Sequence, residues 1–264
     1  MILFPPAKIN LGLKVLGKRP DGFHEIETCM YSIDWTDVLE LIEQIDFQFV
    51  QSGITVDCDQ EDNLCVKAFR LMQEAFNVPN VHMHLRKNIP MGAGLGGGSA
   101  DAAYVIRGIN ELFKLDLGNP KMIQLAAQLG SDCAFFIEDQ PQIANGRGEV
   151  LSAIDLDLTL HHIKLVNPGI HVGTKEAYAG VKFSGELIPL RGLLRQPIEM
   201  WKHTLENDFE SSIIETHPII GEIKDQLYSE GAIYASMTGS GSTIFGIYAE
   251  KPEKSFSEYL EWIS

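Results

Sequence analysis

The sequence predicts an α+β fold. Its early segments alternate apolar and polar positions, which is the pattern of half-buried strands. Later segments show apolar residues at helical spacing, and strands do not alternate with helices in regular βαβ order. The chain has 264 residues, of which 45% are hydrophobic and 22% are charged. This length and composition are sufficient for one or two lobes around a real core.

Most predicted strands lie in the first third of the chain. Over residues 7–15 the alternation places Lys8 and Asn10 on the polar face of one strand. Arg19-Pro20-Asp21-Gly22 predicts a turn, and Phe23 begins a second extended segment. Further strands are predicted at residues 38–42, 47–50, 54–58 and 81–85.

Two helices are predicted next. Apolar residues recur at helical spacing over residues 64–76, and either Asp62 or Asn63 is a suitable N-cap. A second helix is predicted from near Ser99 to residue 114, directly after a glycine-rich segment.

Two shorter helices follow in the sequence. Asn119-Pro120 predicts the start of a third helix, which Gly130 ends. Ser131 predicts a new N-cap, which places Asp132 in the first turn of a short helix over residues 133–137.

The second half of the chain mixes strands and helices. Asn145-Gly146 predicts a hairpin, and we place a boundary between two lobes near residue 155. Strands are predicted at residues 150–154 and 163–167 and on both sides of Thr238-Gly239-Ser240-Gly241, with several amphipathic helices between residues 174 and 229. The last predicted element is helix-like.

Charge and composition exclude several function classes. A formal net charge of −15 argues against nucleic-acid and anionic-membrane partners, because both need clustered positive charge. No apolar run reaches the roughly 18 residues of a membrane-spanning helix. The four cysteines show no C-x-x-C pair and no zinc spacing. We therefore expect buried, reduced thiols and a soluble cytoplasmic protein.

The segment Met91-Gly92-Ala93-Gly94-Leu95-Gly96-Gly97-Gly98-Ser99, here the glycine loop, is the clearest functional signal. Five glycines in seven positions let the backbone approach a ligand closely. The N–H groups at the start of the following helix predict an anion site. The loop lacks the Gly-Lys-[Ser/Thr] ending of a P-loop. Because Gly92, Gly94 and Gly97 match G-x-G-x-x-G, a dinucleotide-dependent oxidoreductase is an alternative.

The order of six motifs resembles that of GHMP kinases over nearly the whole chain. They are Pro6-Ala7-Lys8-Ile9-Asn10-Leu11, Asp21-Gly22-Phe23-His24, Glu61-Asp62-Asn63-Leu64, the glycine loop, Leu129-Gly130-Ser131-Asp132 and Thr238-Gly239-Ser240-Gly241. The first two motifs resemble most the family members that phosphorylate a cytidine diphosphate ester of a branched sugar alcohol in non-mevalonate isoprenoid biosynthesis. Another GHMP kinase, acting on a different alcohol, and a non-catalytic nucleotide-binding scaffold are the alternatives within the family.

The resemblance implies a two-lobe fold. Residues 1–155 would form a ribosomal-protein-S5-like lobe that binds ATP, and residues 156–264 a ferredoxin-like α/β lobe that binds the substrate. It also implies Mg²⁺ held through ATP and no other metal site. The Ser99 hydroxyl, at the start of the helix after the glycine loop, is a candidate ligand of phosphate or Mg²⁺. The implied partner is a small cytidine diphosphate substrate, and the implied assembly is a monomer or a homodimer.

The resemblance further assigns the catalytic and ATP-binding residues. Lys8 and Asp132 match the catalytic pair. Our own hypothesis for their roles is that Asp132 accepts the proton of the substrate hydroxyl, while Lys8 holds that carboxylate ionised and orients the hydroxyl. Asn63 and Lys87 match residues near the adenine. The phosphate-binding residues are Pro90, Met91, Gly92, Ala93, Gly94, Leu95, Gly96, Gly97, Gly98, Ser99 and Ala100.

Five residues match substrate contacts of the family. Phe23 and Tyr178 correspond to the aromatic rings that sandwich cytosine, and His24 to the group that reads its edge. Asn10 lies beside the catalytic pair, and Thr174 is a plausible N-cap of the helix that carries Tyr178. Phe23 stands where tyrosine is frequent, which preserves stacking but removes a hydroxyl group.

Two other features of the sequence are a pair of histidines and the predicted last segment. His82 and His84 share one face of a strand, but without a third ligand we expect a solvated face rather than a metal site. The family usually ends in a closing strand, whereas a helix-like segment is predicted at the end of this chain.

Overall fold

The computed structural model describes residues 1–56, 58–181 and 188–264. Within these ranges the chain forms twelve β-strands and nine α-helices. The strands are β1 (Ile2–Leu3), β2 (Pro6–Lys18), β3 (His24–Thr36), β4 (Val38–Glu43), β5 (Gln48–Gly53), β6 (Val81–Lys87), β7 (Gln142–Gly146), β8 (Val150–Ala153), β9 (His162–Asn167), β10 (Tyr234–Met237), β11 (Ile244–Tyr248) and β12 (Leu260–Ile263). The helices are α1 (Leu64–Phe76), α2 (Gly97–Leu112), α3 (Asn119–Ala126), α4 (Phe135–Glu138), α5 (Thr174–Ala179), α6 (Leu190–Leu194), α7 (Ile198–Thr204), α8 (Glu210–Thr216) and α9 (Pro218–Ser229).

The chain divides into two compact units. The first unit comprises Met1–Ala7, Ser32–Met91 and Gly96–Gln140, and the second comprises Lys8–Tyr31, Gly92–Leu95 and Pro141–Ser264. Among the residues that the structure describes, no helix is both long and apolar enough to cross a membrane.

The first unit is built on a four-stranded sheet with the order β1-β4-β6-β5. β4 pairs antiparallel with β6, whereas β5 pairs parallel with β6. The parallel pair is joined through α1, whose N-cap Asn63 accepts the N–H of Cys65 at 2.9 Å, as one of the two predicted caps. Phe69 and Met72 on the buried side of α1 contribute to the core.

One predicted strand in this unit is wrong. The chain leaves the sheet at Gly53, where φ is +81°, and the described residues among 54–58 form no strand. Asp57 lies outside the described residues. The Ile54 N–H still bonds to the carbonyl oxygen of Lys87, the last residue of β6, at 2.9 Å, and the chain leaves the sheet after this bond. The apolar residues of this segment therefore belong to the crossover that leads to α1.

The third helix, α3, begins at Asn119 as predicted, but other ends of the helices after the glycine loop differ from the prediction. α2 begins at Gly97, two residues before Ser99, and α3 ends before Gly130. The short helix α4 begins only at Phe135, so Ser131 is not its N-cap. Instead, the Cys133 N–H bonds to the Gly130 carbonyl oxygen at 3.2 Å and closes a turn. Asp132 therefore lies in this turn and not in the first turn of a helix.

The second unit contains the sheet β10-β11-β9-β12 and most of the sheet β2-β3-β7-β8, whose strands β2 and β3 each have one end in the first unit. The predicted hairpin of β7 and β8 is present, with Asn145 opposite Val150. Its loop consists of residues 147–149, so Asn145-Gly146 ends a strand and does not form a two-residue turn. The Glu149 carboxylate accepts the Arg147 N–H inside this longer loop.

The predicted helix-like end is wrong, because the chain ends in β12, which pairs antiparallel with β9. The Lys164 ammonium on β9 is fully buried and forms an ion pair with Glu261 of β12 at 2.9 Å. β10 and β11 flank Thr238-Gly239-Ser240-Gly241 as an antiparallel pair, as predicted. The predicted helices of this half are present as α5 to α9, and residues 182–187 lie outside the described residues.

Candidate active site

Every second residue from Gly92 to Gly96 of the glycine loop has a left-handed backbone conformation. Gly92, Gly94 and Gly96 have φ values of +63°, +78° and +69°, which residues with a Cβ rarely adopt. Ala93 and Leu95 between them are buried. The Leu95 carbonyl oxygen accepts the backbone N–H of Lys8 at 2.9 Å. The loop is therefore a fixed backbone structure held by its alanine and leucine.

Gly94 is the position where a side chain is least tolerated. A methyl group at Gly94 would overlap the carbonyl oxygen of Thr238 and lie 3.3 Å from that of Gly241. The backbone of the Thr238-Gly239-Ser240-Gly241 turn therefore packs directly on the glycine loop, which explains why both segments are rich in glycine.

Gly94→Ala is expected to lower the free energy of unfolding by about 2 kcal/mol, because the methyl group adds left-handed strain to a steric overlap. Gly98→Ala is the matched control, since its methyl group would meet the nearest atom, Met91 Cε, at an ordinary 3.5 Å. Urea denaturation of both variants checks this. Equal stability of Gly94→Ala and wild type would contradict the packing described for the loop.

The first turn of α2 lies directly after the loop. Its N-cap is Gly96, which has no side chain to bond the free N–H groups of the turn. Ser99 is partly exposed in this turn and hydrogen-bonds the Cys133 thiol. Burial raises the pKa of Cys133 to about 11, and the Ser99 bond only partly offsets this. Cys133 is therefore a packed thiol rather than a nucleophile.

The Lys8 side chain is buried, and its ammonium group donates hydrogen bonds to oxygen atoms of Asn10 and of the glycine loop. Nζ donates to Asn10 Oδ1 at 2.6 Å and to the Gly94 carbonyl oxygen at 3.0 Å. The Thr238 hydroxyl lies 3.2 Å from Asn10 Oδ1 and 3.1 Å from the same Gly94 oxygen, and it accepts the Asn10 N–H at 3.0 Å. This cluster ties Lys8 to both the glycine loop and the Thr-Gly-Ser-Gly turn.

Lys87, which the resemblance assigns to the surroundings of the adenine, lies in a buried ion cluster. Its ammonium group is fully buried and bonds the carboxylates of Asp37 and Asp101. Asp37 also accepts the N–H groups of Asn88 and Ile89. Burial raises the pKa of Asp101, and Lys87 opposes that shift. Lys87 is therefore the centre of an ion cluster at the end of β6.

A cavity of about 350 Å³ lies beside the N-cap of α1. It is lined by Phe49, Gln51, Ser52, Gly53, Thr55, Val56, Cys58, Gln60 and Asn63. Asn63, assigned to adenine by the resemblance, is thus part of a real concave surface. Cys58 is exposed, which contradicts the expectation that every thiol is buried.

The aromatic residues assigned to cytosine have different neighbours in the structure. The His24 ring stacks on Tyr178 with centroids 4.3 Å apart and planes 14° apart. Phe23 is 54% exposed and lies under the Arg147 guanidinium at 4.9 Å. Phe209 supports Tyr178 through an edge contact at 4.8 Å. His24 and Tyr178 therefore form a stacked pair, and Phe23 lies outside this pair.

The prediction for Thr174 as an N-cap is wrong. Gly173 holds the N-cap position of α5, and Thr174 is the first helical residue with an exposed side chain. Its backbone conformation is already helical, so the hydroxyl does not cap the helix.

Lys8 belongs to the second unit and Asp132 to the first.

Within the ranges that the structure describes, no group of three His, Cys, Asp or Glu residues could hold a metal ion. His84 instead hydrogen-bonds the Ser52 hydroxyl at 2.9 Å.

The sequence did not identify several buried residues that form ion pairs or hydrogen bonds with the candidate site residues. Asp37 and Asp101 are buried partners of Lys87, and Thr28 bonds Asn10 at 3.0 Å. Asn207 donates to the carbonyl oxygens of Met237 and Gly239, which holds the Thr-Gly-Ser-Gly turn. Isolated polar residues carry no periodic signal, so the sequence offered nothing to distinguish them.

Comparison with known proteins agrees with the motif order. Residues 63–140 match the GHMP kinases N terminal domain, and residues 190–260 match the GHMP kinases C terminal domain. A 4-diphosphocytidyl-2-C-methyl-D-erythritol kinase of Cytophaga hutchinsonii is 48% identical over 254 residues, covering 96% of this chain and 94% of the relative. One of the same name from Bacteroides fragilis is 45% identical and covers 98% of this chain and 95% of its own length.

A solved structure agrees at the level of the fold. A crystal structure of 4-(cytidine 5'-diphospho)-2C-methyl-D-erythritol kinase superposes with a TM-score of 0.78 at 31% identity, covering 94% of this chain and 90% of the other. Mevalonate kinase of Methanococcus jannaschii, at 13% identity and a TM-score of 0.68, shares the fold over 94% of this chain and 90% of its own. On the two domain matches and the near-full-length identity, the chain belongs to the GHMP kinase family.

Proposed function

We propose that the chain transfers the γ-phosphoryl group of ATP to the 2-hydroxyl of 4-diphosphocytidyl-2-C-methyl-D-erythritol. The observation that carries this proposal is the 48% identity, over 96% of the chain, to a relative with that activity in its name. Phosphoryl transfer by a kinase follows from membership of the family. The sugar alcohol and its cytidine diphosphate group are the finer part of the proposal.

Several features of the chain support binding of a triphosphate. Phosphoryl transfer asks a protein mainly for in-line positioning and for compensation of charge on the phosphoryl oxygens. The open N–H groups at the start of α2 and the glycine loop before it support phosphate binding. The cavity beside Asn63 supports binding of the adenine. As part of the proposal, residues 1–155 form the ATP-binding lobe and also supply Phe23 and His24 for the substrate, and residues 156–264 form the substrate-binding lobe.

Mg²⁺ would accompany the triphosphate. Such an ion prefers oxygen ligands and usually takes few of them from the protein. The partly exposed Ser99 hydroxyl in the first turn of α2 fits as one such ligand. When bound, the ion would neutralise charge on the transferring phosphoryl group.

We assign the chemical roles to Lys8 and Asp132. Asp132 would accept the proton of the acceptor hydroxyl as transfer proceeds, and Lys8 would orient that hydroxyl. Support for the Lys8 role comes from its ammonium group, which Asn10 and the glycine loop hold in one position. Such a base typically contributes 10²–10⁴-fold.

Cytosine recognition is assigned to the aromatic cluster. His24 has ring nitrogens that can read a base edge, and Tyr178 offers a ring for stacking. Because His24 covers a face of Tyr178 here, a base that stacks on that face displaces the imidazole. Phe23, which lies outside the stack, would then close the other side of the base, and Thr174 at the start of α5 would contact the substrate.

An assay of ADP release across several alcohols tests the proposal. We expect release with ATP and the cytidine diphosphate ester of methylerythritol and none with homoserine or mevalonate. Release with one of those alcohols instead would assign the chain to another branch of the family. Absence of release with every alcohol would favour a non-catalytic scaffold, and an NADH fluorescence change on mixing would revive the oxidoreductase alternative.

Cys58 provides an independent test of the adenine site. Iodoacetamide is expected to modify this exposed thiol first, since Cys29, Cys65 and Cys133 are buried and burial raises the pKa of each. A non-hydrolysable ATP analogue should slow the reaction, because Cys58 lines the proposed adenine cavity. Mass spectrometry measures the rate at each cysteine, with Cys58→Ser as the control. An unchanged rate at saturating analogue would remove the adenine from this cavity.

A further inference from the structure

Thr28 on β3 makes hydrogen bonds that determine how the Asn10 side chain is oriented. Thr28 is fully buried. Its hydroxyl oxygen lies 2.6 Å from the Gly12 carbonyl oxygen and 3.0 Å from Asn10 Nδ2. All three residues lie in the second unit.

The directions of these bonds follow from the number of available hydrogens. A threonine hydroxyl carries one hydrogen, and a carbonyl oxygen can only accept. The Thr28 hydrogen is therefore donated to Gly12, which leaves the Thr28 oxygen as an acceptor for Asn10. Only the amide nitrogen of Asn10 can donate, so Nδ2 faces Thr28 and Oδ1 faces the opposite way.

This orientation sets the surroundings of the Lys8 ammonium. Oδ1 of Asn10 accepts from Lys8 Nζ at 2.6 Å, and the Thr238 hydroxyl lies 3.2 Å from the same oxygen. With the amide reversed, an NH₂ group would face the ammonium, and neither group could accept. The short charge-assisted bond would then be lost, and the ammonium would move to another acceptor.

We propose that Thr28 is a positioning residue for phosphoryl transfer, which acts through the Asn10 amide on the direction in which Lys8 presents its ammonium group. This inference rests on the proposed function, since it needs Lys8 to act on the reacting groups. Thr28 itself is buried behind Asn10 and makes its contacts to Gly12 and Asn10. Thr28 thus affects catalysis although it is as buried as a core residue.

The test compares Thr28→Val with Thr28→Ser. Valine has the same shape but no hydroxyl, so Asn10 loses its orienting partner. We expect kcat to fall by about tenfold or more, since displaced reacting groups cost rate steeply, with KM for ATP unchanged. Serine keeps the hydroxyl and should restore most of the lost kcat. Equal kcat values for Thr28→Val and wild type would overturn the proposal, as would a loss in Thr28→Ser matching that in Thr28→Val.

Two further variants separate positioning from general loss of packing. Thr243→Val is the matched control, because Thr243 is also fully buried and accepts an Asn167 amide at 2.8 Å. It should leave kcat near wild type. In an Asn10→Ala background, Thr28→Val should have no added effect on kcat, because the amide it orients is gone. A fully additive loss would overturn the proposal.

Failure of the two proposals gives different results. Absence of kinase turnover in wild type would remove the proposed function, whereas full activity of Lys8→Met would remove the role of Lys8 and with it the positioning role of Thr28. An active wild type, an inactive Lys8→Met and an unaffected Thr28→Val would remove only the positioning role. If Thr28→Val does not fold, Thr28→Cys replaces it, since a thiol makes weaker hydrogen bonds. Its kcat should lie below that of Thr28→Ser, and equality with wild type would count against the role.

Discussion

Asp132→Asn is expected to lower kcat by at least about a hundredfold, which corresponds to the lower limit for removal of a general base. The amide keeps the size of the carboxylate but cannot take the proton of the acceptor hydroxyl. Affinity for ATP should change little, because the proposed role involves the acceptor and not the nucleotide. Steady-state assays with both substrates, together with calorimetric titration of an ATP analogue, measure the two quantities.

The control is Asp116→Asn. Asp116 is exposed, and its φ of +53° is a conformation that asparagine also adopts readily, so both activity and stability should stay at wild-type values. Near wild-type kcat in Asp132→Asn would remove Asp132 from the role of base. The location of Asp132 in a turn, rather than in a helix, means that no helix dipole needs to be invoked for its charge.

Lys87→Met is expected to lower the free energy of unfolding by about 3–5 kcal/mol, the range for removing one partner of a buried ion pair. The Asp37 and Asp101 carboxylates would then be left buried without a cation. Lys67→Met is the matched control, since the Lys67–Asp62 pair is exposed and such pairs contribute about 0–1 kcal/mol. Urea denaturation at pH 7 measures both differences.

The loss in Lys87→Met should also depend on pH. Without the lysine, burial keeps the pKa of the Asp101 carboxyl group raised, so the folded protein retains a proton that the unfolded chain releases above about pH 4. The free energy of unfolding of the variant therefore falls as pH rises. We expect a smaller deficit at pH 5 than at pH 8, and a deficit that is independent of pH would contradict this explanation.

The same variant separates two roles for Lys87. A lysine that binds adenine directly would, when replaced, raise KM for ATP with little change in stability. A lysine that holds Asp37 and Asp101 together would, when replaced, lower stability first. The buried position of its ammonium group favours the second result.

Local patterns were enough for much of the fold. The alternation in β2, the helical spacing and Asn63 cap of α1, and the glycine loop before α2 depend on neighbouring residues in the chain. Errors occurred where a distant partner decides the conformation. β12 is a strand because β9 pairs with it and Lys164 binds Glu261, and neither partner is near it in the sequence.

The candidate site divides in the same way. The sequence by itself determined the family, the glycine loop, and the identities of Lys8 and Asp132 as candidates, because these signals consist of residue types at short spacing. Only the tertiary structure showed that Lys87 is an internal ion-pair centre, that His24 stacks on Tyr178, and that Thr28 orients Asn10. Hydrogen bonds and ion pairs join residues that are far apart in the chain, so their geometry exists only once the chain has folded.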